Sequence, residues 1–230
     1  MTPDPITSAL IPAAALLAFI YWKDRKSPEP FTQLLKATGI GILSIPLTFV
    51  LVLPLQWFGI VPAEVLSMRD AINVSFLGAA IPEELSKLFV LWLFLRRNKY
   101  FDERMDGIVY AVCVALAFAG MENIMYVIGD PNWVSTAITR AFTAVPAHFC
   151  FGVVMGYFYS LAKFVPTQRI WYSALALIAP IVAHGIYDTL AFSMGLSSIW
   201  MDLLIMLIFI VFCFLLWIWA SRSIKRHIGK

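Results

Sequence analysis

Charge is what this chain of 230 residues has least of: 13% of it is Asp, Glu, Lys or Arg, against 61% that is hydrophobic. Soluble domains carry about 25% charged residues, and with a mean hydropathy of +0.82 the sequence reads as a polytopic membrane protein. The net charge of +3 is small and its basic residues fall in short clusters between apolar runs. Such clusters are topology signals, so no nucleic-acid partner is expected. Cysteine is scarce: Cys113, Cys150 and Cys213 lie in apolar runs at no metal-like spacing. Their odd number argues against a disulfide framework and leaves them as small core hydrophobes. The N-terminal stretch lacks the basic segment of a secretory signal and ends on Trp22, which points to a retained first helix. No soluble domain, low-complexity tract or obvious internal repeat is present, so residues 1–230 are expected to form one integral membrane domain.

What is present is a series of seven apolar runs, approximately 6–22, 34–57, 71–95, 107–128, 138–162, 171–193 and 198–220. Each is long enough to cross a hydrocarbon core of ~30 Å at ~1.5 Å per residue. The expected fold class is therefore all-α, a bundle of about seven transmembrane helices. Pro46 and Pro54 make the second run the least regular. Of the 17 Lys and Arg residues, all but Arg69, Arg140 and Lys87 cluster at the first, third and fifth connections and the C-terminal tail. That bias predicts an N-terminus outside and a C-terminus in the cytoplasm.

Against this apolar background the stretch "GAAIPEELSKLFVLWLF" in the third run places Glu83, Glu84 and Lys87 where a charged residue costs roughly 2.5–3.5 kcal/mol. Lys87 lies four residues from Glu83 and three from Glu84, so one lysine reaches either carboxylate along one helix face. Two close, buried carboxylates resist joint ionisation, and that separation of roles suits general acid/base chemistry. A buried ion pair that merely fixes packing leaves the second glutamate unexplained. Pro82 frees the carbonyl of Gly78. The fourth run contains Glu122, with Phe118 and Tyr126 a turn to either side; an intramembrane glutamate is a functional-site candidate unless it only bonds a neighbouring helix. The fifth carries His148, and the sixth carries His184 with Asp188 one turn later, placed to orient its imidazole. His148 alone would read as a core histidine. His227, in the basic tail, is expected to be solvated. Counted from the outer ends of their runs, Glu84, His148, His184 and Glu122 lie roughly 20, 15, 14 and 9 Å deep. They can share one cavity in the outer half of the membrane and activate water there.

These residues resemble the PrsW intramembrane proteases, which are related to type II CAAX prenyl endopeptidases and bacteriocin-immunity proteins. EExxK appears as Glu83 to Lys87, FxxxE as Phe118 to Glu122, the next histidine as His148 and HxxxD as His184 to Asp188. The similarity covers roughly residues 70–195. CAAX relatives carry FxxxH where this chain has Glu122. The resemblance implies an endopeptidase of a bacterial cytoplasmic membrane that cuts a single-pass anti-sigma factor near its extracytoplasmic side, with a glutamate activating water. It gives the histidines the task of binding water or the oxyanion; the residues themselves place Asp188 to orient His184, Lys87 to hold the glutamates and Glu122 to bind water or shuttle a proton. No cofactor is required by these motifs. If zinc is bound, His148, His184 and Glu122 are the expected ligands and Glu83 or Glu84 the base. Two rivals remain: a proton- or metal-coupled transporter, since Glu and His also form ion relays, and a non-catalytic immunity or binding module of the same fold. The missing repeats count against the transporter.

Overall fold

The computed structural model describes residues 4–228; Lys230 of the basic tail lies outside them. The described residues form helices and connections with no strand. The helices are α1 (Pro5–Lys23), α2 (Phe31–Ile42), α3 (Ser44–Trp57), α4 (Met68–Asn73), α5 (Ile81–Leu95), α6 (Arg104–Val127), α7 (Trp133–Phe142), α8 (Ala144–Phe164), α9 (Arg169–Phe192) and α10 (Ile199–His227). A π-helical stretch, Val74–Ala80, joins α4 to α5, and a 3-10 turn, Pro166–Gln168, precedes α9. Six helical runs are long and apolar enough to cross a membrane: 5–23, 31–57, 104–127, 133–164, 166–192 and 199–227. The molecule is a multi-pass membrane protein. The continuous run 68–95 is the exception, because it carries Arg69, Asp70, Glu83, Glu84 and Lys87.

Proline explains where the long runs break. A proline gives no N–H to the carbonyl four residues back and its ring crowds that carbonyl. Pro46 stands four residues after Ile42, where α2 ends, and Pro146 four after Phe142, where α7 ends. Pro82 stands four after Gly78, inside the π-helical stretch. The second run is thus irregular as expected, but the break falls at Leu43, ahead of Pro46, while Pro54 sits within a continuous α3. The last helix runs seven residues past its expected end at 220, to His227. His227 is buried against the Tyr157 ring, with centroids 4.3 Å apart, and is not solvated. The three cysteines are free thiols, two of them buried, as small core residues would be.

Helix α6 runs through the centre, buried along most of its length, with α1, α2 and α8 packed around it. Small residues permit that: a Cβ built on Gly152 of α8 would stand 2.9 Å from the Ala115 Cβ and 3.1 Å from the Val112 Cα. A Cβ on Gly41 of α2 would stand 2.8 Å from both the Val114 Cα and its carbonyl oxygen. Close backbone approach of this kind is how helices associate where hydrophobicity gives no net drive between them. Gly41→Ala should therefore lower stability by about 1–3 kcal/mol, since the clash is with backbone. Gly39→Ala, with nothing within 4 Å, should change it by less than about 1 kcal/mol. Thermal unfolding of the two variants in detergent checks this, and equal shifts would contradict the packing argument.

Candidate active site

The site is built where α5, α6, α8 and α9 meet. Helix α5 opens with Pro82, Glu83 and Glu84 immediately after the π-helical stretch, and all three, with Lys87, are buried. Lys87 Nζ donates to Glu83 Oε2 at 3.1 Å, to Glu84 Oε1 at 2.9 Å and to His148 Nδ1 at 3.2 Å. Its three N–H groups are thereby matched to three acceptors, and the ammonium also lies 4.0 Å from the centre of the Phe118 ring. This use of Nδ1 as acceptor selects the His148 tautomer that carries its proton on Nε2. That Nε2 donates to Glu122 Oε2 at 3.0 Å.

Glu122 Oε2 also accepts from Arg140 Nη2 at 2.7 Å, while Arg140 Nε donates to Asn123 Oδ1 at 2.6 Å. Asn123 Nδ2 donates in turn to the Ala9 carbonyl at 3.2 Å, fixing the group to α1. The Arg140 guanidinium lies over Tyr126, 3.9 Å from the ring centre. On α9, His184 Nδ1 is 2.9 Å from Glu84 Oε1 and its Nε2 is 3.2 Å from Asp188 Oδ2 and 4.0 Å from Glu83 Oε2. Phe151 stacks on the imidazole with ring centres 4.7 Å apart.

A cavity of about 440 Å³ opens onto Glu83, Glu122, Arg140, His148, His184 and Asp188. Glu84 and Lys87 do not line it. A second cavity of about 340 Å³ shares Gln56, Gly78, Glu83, Glu122 and Tyr126 with the first and runs between α3 and α6. It reaches the outside of the bundle at the exposed Phe49 and Met125. Gly78 lines both, so the π-helical stretch forms part of the cavity wall.

The structure brings all seven expected residues, Glu83, Glu84, Lys87, Glu122, His148, His184 and Asp188, into one connected network. Arg140 was missed as a member. The signal was available, because it is one of two basic residues on a side otherwise free of them, inside an apolar run, and a buried glutamate needs a counter-charge.

The donors closest together are Glu83, Glu84, His148 and His184, each offering one atom within 4.8 Å of the others. The zinc set expected from the motifs differs: Glu122 is not among these four, its Oε2 being shared between Arg140 and the His148 Nε2. Two imidazoles and two carboxylates are the donor types zinc takes, yet the Lys87 ammonium already lies 2.9–3.2 Å from three of these residues. A divalent ion at ~2.0–2.2 Å from the same atoms would press against that cation. Glu84 Oε2 has no partner among the described residues, but one oxygen does not hold an ion. With Lys87 in place the residues do not fit a bound metal. A second group of oxygen donors, Glu29, Asp102 and Asp106, lies at the other end of the bundle. There burial pushes the Glu29 carboxyl up to about 8 and that of nearby Asp24 up to about 7, and Tyr110 donates to Glu29.

Residues 29–218 match the model of a family described as PrsW family intramembrane metalloprotease. The chain is 34% identical to Protease PrsW of Geobacillus kaustophilus, covering 97% of this chain and 92% of that protein. It is likewise 34% identical to Protease PrsW of Bacillus subtilis, over 96% and 94% of the two chains. Protease PrsW of Clostridioides difficile is 32% identical over 94% and 88%. No solved structure matches the chain.

Proposed function

The chain belongs to the PrsW family of intramembrane proteases, and we propose that it hydrolyses a peptide bond of a membrane-anchored protein with water activated by Glu83. One observation carries the reading: of the two adjacent glutamates only Glu83 faces the cavities, while Glu84 is fully buried with one oxygen held by both Lys87 and His184. Glu83 is the base and Glu84 the anchor. Water held between Glu83 and His184 is deprotonated by the carboxylate as it attacks the carbonyl carbon. Arg140, at the cavity wall with guanidinium N–H groups beyond those given to Glu122 and Asn123, stabilises the charge that develops on the carbonyl oxygen. Glu83 then returns its proton to the leaving amine. Asp188 orients His184, and Glu122 holds Arg140 and His148 in place. The second cavity, reaching the lipid-facing surface between α3 and α6, is the route by which a single-pass substrate enters.

Seven spans, with 68–95 as the third, place the N-terminus outside and the basic clusters in the cytoplasm of a bacterial cytoplasmic membrane. The glutamates then lie on the extracytoplasmic side, where the resemblance puts cleavage of an anti-sigma factor. Hydrolysis in this scheme needs no metal, although the family's description includes one.

Glu83→Gln should abolish cleavage of a candidate single-pass substrate with the protein folded and inserted, because the amide keeps volume and hydrogen bonding but no basicity. Glu84→Gln should abolish cleavage and also lower stability, and Lys87→Met should destabilise the fold by about 3–5 kcal/mol by stripping buried carboxylates of their cation. Product mass spectrometry and thermal unfolding read both effects; cleavage by Glu83→Gln would remove it as the base.

Metal-stripped protein should keep full activity. Near-stoichiometric zinc in purified material, with cleavage lost on chelation and restored by zinc, would overturn the metal-free scheme. Single cysteines introduced at Thr7 and Arg222 should label from opposite sides of the membrane, the first from outside. Labelling from the same side would defeat the seven-span topology.

A further inference from the structure

A different cavity, of about 430 Å³, lies between α5 and α9 at the end of the bundle away from the glutamates. It is lined by Arg96, Lys163 and Arg169, with Asn98 and Ser173 among the uncharged polar residues. From Glu84 to Arg96 is about 18 Å along the helix at ~1.5 Å per residue. Among the described residues none of the three cations forms an ion pair with a carboxylate. Aromatic faces and one carbonyl hold two of them: Arg96 lies over Trp92 at 5.0 Å, and Lys163 over Phe101 at 3.9 Å while donating to the Phe101 carbonyl. Asp102 and Asp106 act on Lys163 only from beyond ion-pair distance. Three exposed cations converge on one cavity with no carboxylate in ion-pair contact.

The cavity does not end in polar surface. It shares Trp92, Tyr159 and Ser173 with an adjoining space of about 320 Å³, whose other walls are Leu85, Leu88, Phe89 and Ala176. Leu85 and Phe89 are exposed on the outside of the bundle. From Arg96 back to Leu85 the groove follows α5 for about 16 Å, close to half of a ~30 Å hydrocarbon core. A cationic chamber continued by an apolar groove of leaflet depth matches one kind of ligand.

We propose that this joined space binds an anionic phospholipid, its phosphate among Arg96, Lys163 and Arg169 and one acyl chain between α5 and α9. Basic pockets between membrane helices recognise lipid headgroups in this way. Free phosphate would satisfy the cations but leave the groove unused. The same two helices carry Glu84 and His184, whose 2.9 Å contact joins α5 to α9, so the lipid sits at the far end of the seam that the site depends on. Binding does not rest on the protease reading.

The test uses the full chain, delipidated in detergent, with thermal unfolding and native mass spectrometry as readouts. Phosphatidylglycerol should raise the midpoint saturably, whereas phosphatidylcholine and inorganic phosphate should not. Arg96→Gln, Lys163→Gln and Arg169→Gln should each weaken binding about fivefold, and roughly 100-fold together. A charge-matched variant at Arg25, Arg97 and Lys99, which lie outside the cavity, should bind as the parent does. Equal response to phosphatidylcholine, full reproduction by phosphate alone, or equal loss in the charge-matched variant would each overturn the proposal. Should the triple variant fail to fold, Arg169→Gln at its exposed position and Ser173→Phe, which fills the groove, serve instead; unchanged binding in both would also overturn it.

Discussion

The burial of one ammonium group organises this molecule. A lysine inside an apolar bundle is tolerable only if its charge is paired and every N–H finds an acceptor. Lys87 meets both demands with Glu83 and Glu84 on its own helix and His148 on α8. Glu84 then reaches His184 on α9, and His148 reaches Glu122 on α6. Each link leaves a partner that would be costly to strand, so the helices are held in register by polar groups that have no alternative inside a membrane. Arg140 closes the chain at Glu122, which is half-buried and needs a cation.

Prolines place these groups where they can meet. Pro46, Pro82 and Pro146 each act on the carbonyl four residues earlier, ending α2 and α7 and widening the helix ahead of α5. Two of the three lie within two residues of a site side chain, Glu83 or Glu84 in one case and His148 in the other. The irregular backbone at Gly78 lines the cavity, which is where unpaired backbone is tolerated at membrane depth. Adjacent glutamates thus end in different surroundings. Successive helical side chains point about 100° apart, so one faces the cavity and the other the protein interior.

Much of this was legible in the sequence, because membrane burial makes each polar residue in an apolar run conspicuous. The spacing of Glu83, Glu84 and Lys87 gave their pairing, that of His184 and Asp188 gave theirs, and depths within one half of the membrane allowed them a common cavity. What the sequence did not reveal depends on lateral packing, which spacing along one helix does not encode. Arg140 sits on the short α7, and its partner is known only once α7 is seen beside α6. The assignment of His148 to both Lys87 and Glu122 is a relation among three helices. The burial of His227 follows from the basic tail staying helical alongside Tyr157, whereas charge alone had suggested solvent.

The helical run 68–95 is apolar enough for a membrane span but carries more charge than one ordinarily tolerates, with Glu83, Glu84 and Lys87 within it. Its inner face, with Glu84 and Lys87, has no stable solution in lipid and must be enclosed by protein; α6, α8 and α9 supply Phe118, His148 and His184, which do so. Its outer face, with Leu85, Phe89 and Trp92, is free to meet acyl chains. A helix so divided needs its neighbours to fix its rotation, since a turn of ~100° would bring a carboxylate to the lipid. The same constraint that encloses Lys87 therefore aims Glu83 at the cavity, and the precision of the site follows from the cost of any other orientation.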